Sequence, residues 1–252
     1  MDTDLVERAA ALLWSARRGV ALTGAGISTP SGIPDFRSPS SGLWERVDPM
    51  VVASLQGFRR NPQAFYDWLR PLARQMLEAH PNPAHRALAR LEQAGRLRTV
   101  ITQNIDGLHQ RAGSRRVLEL HGHVRTATCT RCGRKVPAQP LIGELLTSLE
   151  IPRCRQCGGA LKPDVVLYGE MLPSDVLEEA EKEAEECDVM LVVGSSLTVA
   201  PASLLPEIAL GHGARLLIVN RETTDLDRRA EVVLHEDVAE ALPAIAQACG
   251  LE

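Results

Sequence analysis

Six short runs rich in aliphatic and β-branched residues, at 20–23, 98–102, 117–120, 189–193, 216–219 and 231–234, recur along the chain with helical stretches between most of them. Runs apolar at nearly every position suit strands covered on both faces, as in parallel sheets flanked by helices. The alternation therefore predicts an α/β fold, a Rossmann-like, mostly parallel, doubly wound sheet. Leu5, Val6, Ala9, Leu12 and Leu13 give a helical stripe. Asn82-Pro83 caps a helix that stops at Gly95, Ser174 can cap one running to about Cys187, and Asp237 begins the last. Two stretches break the pattern: 37–81, helical and punctuated by proline, and 124–163. The expected partition is a Rossmann-type domain from 1–36, 82–123 and 164–252, into which a helical module (37–81) and a second module (124–163) are inserted as a smaller domain.

The second insertion carries two C-x-x-C pairs, Cys129/Cys132 and Cys154/Cys157. A structural zinc ion takes four thiolates tetrahedrally, and a two-residue spacer lets one tight turn present two sulfurs to one ion. Gly133 follows the first pair and Gly158-Gly159 the second, where such knuckles need a positive φ. Two disulfides are the alternative reading. No secretory-type apolar segment precedes the first helical stripe and no apolar run approaches membrane-spanning length, so a cytoplasmic, thiol-reducing setting is expected, and with it zinc. Cys187 and Cys249 stand alone at apolar helix ends and read as small core residues. The 252 residues suffice for a large core. A formal charge of -4 argues against broad nucleic-acid affinity, so the cysteine knuckles do not imply DNA binding.

Polar and small residues gather where the apolar runs end. Gly24-Ala25-Gly26 follows the first run, and bare backbone N–H groups there could cradle a phosphate. A tight structural turn explains the same glycines. Thr29 replaces the third glycine of a dinucleotide fingerprint, and Pro30 and Pro34 forbid a long helix directly behind the loop. Gly194-Ser195-Ser196 makes a second small-residue loop, and Asn220 closes the next run, where either a ribose-reading side chain or an ordinary turn asparagine would stand. Gln103-Asn104-Ile105-Asp106 and His121-Gly122-His123 end the central runs, at the edge where ligands bind in open α/β sheets. His121, beside a glycine, suits general-base work near neutrality or a structural role. His80, His85, His109, His212 and His235 read as surface or helix residues.

Gly24-Ala25-Gly26-Ile27-Ser28, Ser31-Gly32-Ile33-Pro34-Asp35-Phe36-Arg37, Gln103-Asn104-Ile105-Asp106, Leu120-His121-Gly122, the four cysteines, Gly169-Glu170 and Gly194-Ser195-Ser196 together resemble the sirtuin family of NAD-dependent protein deacylases, in order and over nearly the whole chain. In overall pattern the chain is similar to the compact bacterial and archaeal members. The resemblance implies removal of acetyl or other acyl groups from protein lysines, giving nicotinamide, O-acyl-ADP-ribose and free lysine. It implies NAD held between the Rossmann-type domain and the small domain, a structural zinc, and acylated proteins or peptides as partners. His121 would be the base acting through the ribose hydroxyls, with Asn104 also catalytic. Asp106 and Ile105 match the carboxamide contacts, Gln103 and Asn104 the ribose and an ordered water. Ala25, Thr29, Asp35, Phe36 and Arg37 match the loop over the cofactor. Gly24, Gly26, Gly194, Ser195, Ser196, Asn220, Arg221 and Val238 match the adenosine and phosphate contacts. Val166, Tyr168, Gly169, Glu170 and Val199 match the edges that pair with the substrate peptide as a strand. Tyr168 departs from a frequent phenylalanine, which we expect to tune acyl preference. Sirtuins that prefer succinyl-lysine or malonyl-lysine carry a tyrosine and, three residues on, an arginine; here Tyr66 is followed by Leu69, with Arg70 one position later. An acetyl preference is therefore expected.

Overall fold

The structure is a computed structural model that describes residues 1–35, 42–45 and 47–251. Among them the helices are α1 (Thr3–Ser15), α2 (Pro49–Val52), α3 (Leu55–Arg60), α4 (Pro62–Glu78), α5 (Pro83–Gln93), α6 (Leu108–Ala112), α7 (Gln139–Thr147), α8 (Ser174–Glu186), α9 (Leu205–Gly211) and α10 (Val238–Ala248). The strands are β1 (Gly19–Thr23), β2 (Leu97–Thr102), β3 (Val117–Glu119), β4 (Gly122–Cys129), β5 (Lys135–Pro137), β6 (Leu161–Val165), β7 (Val189–Val193), β8 (Arg215–Val219) and β9 (Val232–Leu234). The chain divides into two compact units, Met1–Ser31, His80–Leu120 and Ser174–Glu252 in one, Gly32–Ala79 and His121–Pro173 in the other.

All six predicted runs are strands of one sheet in the first unit, ordered β3-β2-β1-β7-β8-β9 and parallel throughout. β1 and β7 are buried at every position, which is why their sequences show no alternation. One face packs Val189, Leu191, Val193, Leu217 and Val219 against Leu13, Leu88, Leu242 and Ile245 of α1, α5 and α10. Two of the three expected caps form, while Ser174 is the first residue of α8 itself. Asn82 accepts from the N–H groups of Ala84 and His85, and Asp237 from that of Ala239. Crossovers lead away from β1 in both directions, first through β2 and β3 and then through β7, β8 and β9. The strand order therefore reverses between β1 and β7, the switch point at which such sheets bind ligands.

The second unit joins α2, α3, α4 and α7 to an antiparallel sheet ordered β5-β4-β6. Phe58, Phe65 and Tyr66 meet edge-to-face and fill its helical core, with ring centroids 5.1 to 6.1 Å apart. Every expected boundary shifts: residues 32–35, expected with the parallel sheet, lie in this unit, and 80–81, expected in the helical module, lie in the first. Residues 121–123 and 164–173, expected with the parallel sheet, lie in this unit, because β4 begins at Gly122 and pairs with β6 up to Val165. A strand bonded along an antiparallel ladder follows its partner rather than the neighbouring parallel sheet.

Candidate active site

At the switch point the loops after β1 and β7 lock together. The N–H of Gly24 donates to Val193 and that of Gly26 to Gly194. A Cβ on Gly26 would lie 2.8 Å from the Gly194 Cα, and one on Gly194 would lie 2.3 Å from the Ile27 nitrogen, at a φ of +58°. The glycines are thus explained by loop against loop. Their own N–H groups are spent, which corrects the expectation that they cradle an anion. The N–H groups of Ala25, Ser195 and Ser196 have no acceptor among the described residues, and these remain for an anionic ligand. Pro30 and Pro34 act as expected: only short turns, Ala25–Ile27 and Thr29–Ser31, follow the strand. The Thr29 hydroxyl donates back to Gly26. Just beyond Ser196, Leu197 holds a left-handed φ of +54°, unusual for a bulky side chain.

The polar run after β2 is wired to both loops. Asn104 Nδ2 donates to the Gly24 carbonyl at 3.0 Å and to Ser28 Oγ at 3.1 Å, and Gln103 Nε2 donates to Ser195 Oγ at 2.9 Å. Ser28 Oγ in turn donates to Asp106 Oδ2 at 2.7 Å, while Asp106 Oδ1 accepts from the Leu108 N–H at 2.8 Å. Burial pushes the Asp106 carboxyl above the usual range, against the pull of those two hydrogen bonds. Ile105 sits between these two anchored side chains. At the sheet's far side, Asn220 is held by three bonds: its N–H to Leu234, its Nδ2 to Glu222 and its carbonyl from His235 Nδ1. Arg221 pairs with Asp237, the cap of the helix that Val238 begins. Val199 accepts from the Ser203 N–H.

Behind this layer lie two histidines whose sequence context predicts surface or helix positions. Both are buried: His85, on the apolar face of α5, and His109, in α6, with rings 4.9 Å apart and edge-to-face. Thr23 Oγ1 donates to Thr102 Oγ1 at 2.8 Å, so at 2.9 Å His109 Nε2 carries the proton that Thr23 accepts. Burial depresses both imidazoles, His85 to about 4 and His109 to about 3. His85 Nε2 lies 3.5 Å from Ser28 Oγ, and Asn82 Nδ2 holds the Ile27 carbonyl at 2.7 Å. Ser28, Asn82 and His85 therefore support the site from below. For His85 the signal was its place among Ala84, Ala87, Leu88 and Leu91, a helical stripe that surface histidines do not join.

In the second unit, His121 precedes Gly122, whose φ is +71° and whose Cβ would meet the Asp164 carbonyl at 2.2 Å. The His121 carbonyl accepts from the Val166 N–H at 2.8 Å. The stretch that follows is nearly saturated along one side. The Tyr168 N–H donates to Ala53 and its carbonyl accepts from Leu55, a parallel bridge opposite Ser54. The Leu167 N–H goes to Glu170 Oε2, and the Glu170 N–H returns to Leu167. The Val166 carbonyl and the Gly169 N–H have no partner among the described residues, an open edge of the kind that takes an added strand. Trp44 stacks on Trp68 at 5.5 Å and meets Tyr168 edge-on at 6.2 Å. Asp35 accepts from the Leu43 N–H. Phe36 and Arg37 lie outside the described residues.

The four knuckle cysteines converge in the same unit, their sulfurs all within 4.8 Å of one another. Cys129 and Cys157 are 3.4 Å apart and Cys132 and Cys154 3.8 Å, too long for disulfides and close to the roughly 3.8 Å edge of a tetrahedron with 2.3 Å Zn–S bonds. The Cys132 N–H, with that of Arg131, holds the Cys129 thiol down to about 6, and the N–H groups of Gln156 and Cys157 lower Cys154. Cys157 is pushed the other way, up to about 11, where against the pull of the Gly159 N–H the neighbouring sulfurs, Cys129 first, oppose a further negative charge, and a bound cation would relieve that crowding. Gly133 and Gly158 take the expected positive φ of +70° and +69°. Gly159 serves differently, since a Cβ there would come within 2.9 Å of the Cys129 sulfur.

Comparison with known proteins gives one consistent picture. A profile described as "Sir2 family" matches residues 24–201. The "NAD-dependent protein deacylase 2" of Archaeoglobus fulgidus is 49% identical over 245 residues, covering 97% of this chain and 96% of that protein. The "NAD-dependent protein deacetylase 2" of Caldanaerobacter subterraneus is 46% identical over 96% of this chain and 95% of its own length. A solved Sir2 variant with deacetylated p53 peptide and 3′-O-acetyl-ADP-ribose superposes with a TM-score of 0.92 at 41% identity, covering 98% of this chain and 99% of that one.

Proposed function

The chain belongs to the Sir2 family, and on that premise we propose that it is an NAD-dependent protein-lysine deacetylase. It moves the acetyl group of an acetyl-lysine to the ADP-ribose part of NAD with one water consumed, releasing nicotinamide, O-acetyl-ADP-ribose and free lysine. The observation that carries this reading is the hydrogen-bonded chain Gly24–Asn104–Ser28–Asp106 at the switch point, seated on a sheet whose order reverses there.

Bound NAD supplies the acceptor ribose and a leaving nicotinamide. Ala25, Ser195 and Ser196 offer the phosphates their open N–H groups, and Gly24, Gly26 and Gly194 let the two loops approach closely enough to do so. Thr29, Asp35, Phe36 and Arg37 belong to the covering loop. Asn220, Arg221 and Val238 line the adenosine side. Asp106 and the backbone of Ile105 hold the nicotinamide carboxamide, and a carboxyl pushed upward by burial suits it to share a proton with an amide. Gln103 and Asn104 orient the ribose. His121 takes the proton from the ribose hydroxyls, a role that an imidazole fills near neutrality. The peptide adds as a strand on the Val166 and Gly169 edge, with Tyr168, Glu170 and Val199 beside it. Zinc, held by Cys129, Cys132, Cys154 and Cys157, is structural: four protein thiolates leave no open position for chemistry.

We place the enzyme in the cytoplasm, where thiols at metal spacing stay reduced; no described helix is long and apolar enough to cross a membrane. The deciding experiment is incubation with NAD and an acetyl-lysine peptide, with products read by mass. Expected are a peptide lighter by one acetyl group and O-acetyl-ADP-ribose, with His121→Ala slower by about a hundredfold or more. A peptide made heavier by ADP-ribose would indicate an ADP-ribosyltransferase, and no NAD-dependent product a non-catalytic binding protein.

A further inference from the structure

The open edge at Val166 and Gly169 is useful only if the chain around it keeps one shape, and to the backbone bonds of Val166, Tyr168 and Glu170 one side-chain pair adds a brace. Lys162, on β6, places its ammonium 2.9 Å from Glu170 Oε2, 2.8 Å from the Val165 carbonyl and 3.2 Å from the Pro163 carbonyl. Three donors thus have three acceptors. The same Glu170 oxygen accepts from the Leu167 N–H at 2.8 Å, so the ammonium, the carboxylate and the backbone of residues 163–170 close into one ring of bonds. Both side chains are mostly buried, 14% and 22% exposed, where charge-assisted bonds are stronger than on an open surface. Gly169 sits inside this ring with a φ of +83°, and a glycine, with the widest backbone freedom of any residue, depends on the bonds around it to keep that geometry. Left alone it would be the loosest point of the edge.

We propose that Lys162 is a positioning residue for substrate: with Glu170 it rivets the 165–170 turn, so that the Val166 carbonyl and the Gly169 N–H are set in advance to pair with an extended acyl-peptide. On this view the Glu170 carboxylate acts through Leu167 and Lys162, with its binding Oε2 spent inside the protein. Without the rivet, each binding event must order the turn again, which weakens peptide affinity and leaves the cofactor's affinity alone. The inference rests on the deacetylase reading for its substrate, but the ordering of the turn can be read without any substrate.

The test compares wild type with Lys162→Met, Glu170→Gln and Lys162→Arg. Amide hydrogen exchange at Leu167 should quicken in the first two, and the KM for an acetyl-lysine peptide should rise about tenfold, as expected for losing one charged hydrogen bond. Binding of a fluorescein-labelled acetyl-lysine peptide should weaken in parallel, with the KM for NAD within twofold. Lys162→Arg, which keeps the charge, should recover part of both effects. Unchanged Leu167 exchange and unchanged peptide KM in both Lys162→Met and Glu170→Gln would overturn the proposal. Failure of wild type to deacetylate the peptide would instead overturn the proposed function, and Leu167 exchange would still decide whether the rivet orders the turn.

Discussion

His85 and His109 are buried as neutral rings behind the bonded side chains of Asn104, Ser28 and Asp106, and their protonation couples folding to pH. An unfolded imidazole titrates near 6.5, whereas burial holds these two to about 4 and about 3. Below pH 6.5 the unfolded chain therefore binds more protons than the folded one, so the stability they contribute is complete above 6.5 and is lost as pH falls toward 4. Asp106 has the opposite sign. Its folded value is raised, so its contribution is present at low pH and is lost as pH rises through that value. Denaturant unfolding between pH 7 and 5.5 should lose up to about 1.4 kcal/mol per pH unit for each imidazole. His109→Gln should remove one of the two increments while leaving any slope from the cysteine site in place, and an unaltered slope would show that His109 does not titrate as its burial demands. The sequence placed Asn104, Asp106 and the glycines at strand ends, but it left His85 and His109 unexplained. The apolar stripe of α5 marks His85 as inward-facing, but that its ring meets His109 depends on α5 and α6 packing together, which no local pattern records.

At the scale of elements, two pieces hold the site's geometry by close fit. The β1 and β7 loops interlock through Gly194, where Gly194→Ala would add both a left-handed strain and a Cβ 2.3 Å from the Ile27 nitrogen. The two costs, roughly 1 to 2 and 1 to 3 kcal/mol, predict about 3 kcal/mol lost in unfolding measurements together with weakened NAD binding. A loss under 1 kcal/mol would mean that the loops part easily. The cysteine knuckles anchor β4, β5 and β6 around Ala127, Cys129, Cys154 and Leu161, too small an apolar cluster to stand alone. One zinc per chain is expected by metal analysis. Apparent zinc binding of about 10 to 16 kcal/mol then makes its removal an unfolding event, so chelation or Cys154→Ala should melt the small sheet and abolish activity together. Metal-free protein with unchanged circular dichroism and melting temperature would contradict a structural role.

For the molecule as a whole, acyl preference is the property most exposed to test. Tyr66 donates its hydroxyl to the Leu161 carbonyl at 2.5 Å, and Arg70 spends Nε on the Leu145 carbonyl and Nη1 on Asp67, with Nη2 buried and unpartnered among the described residues, so both are tied into the packing of α4 against β6 and α7. A succinyl carboxylate entering beside them would lose charged hydrogen bonds worth about 1.5 to 3 kcal/mol. We predict kcat/KM for acetyl-lysine peptides roughly ten- to hundredfold above succinyl-lysine, with propionyl and butyryl groups tolerated because added methylenes bury favourably. A succinyl preference in competition assays would show that a cation does reach the acyl group. The sequence by itself determined the six strands of the parallel sheet, the Asn82 and Asp237 caps and the cysteine knuckles, because apolar runs, capping side chains and two-residue thiol spacings act over a few residues. It also placed Asn104, Asp106 and His121 at strand ends. Only the tertiary structure decided that β6 joins the small antiparallel sheet, that Gly24 and Gly26 spend their N–H groups on the β7 loop, and that Lys162 meets Glu170. Each of these is a contact between segments distant in the chain or folded back on themselves, and its energy exists only once the partner has arrived.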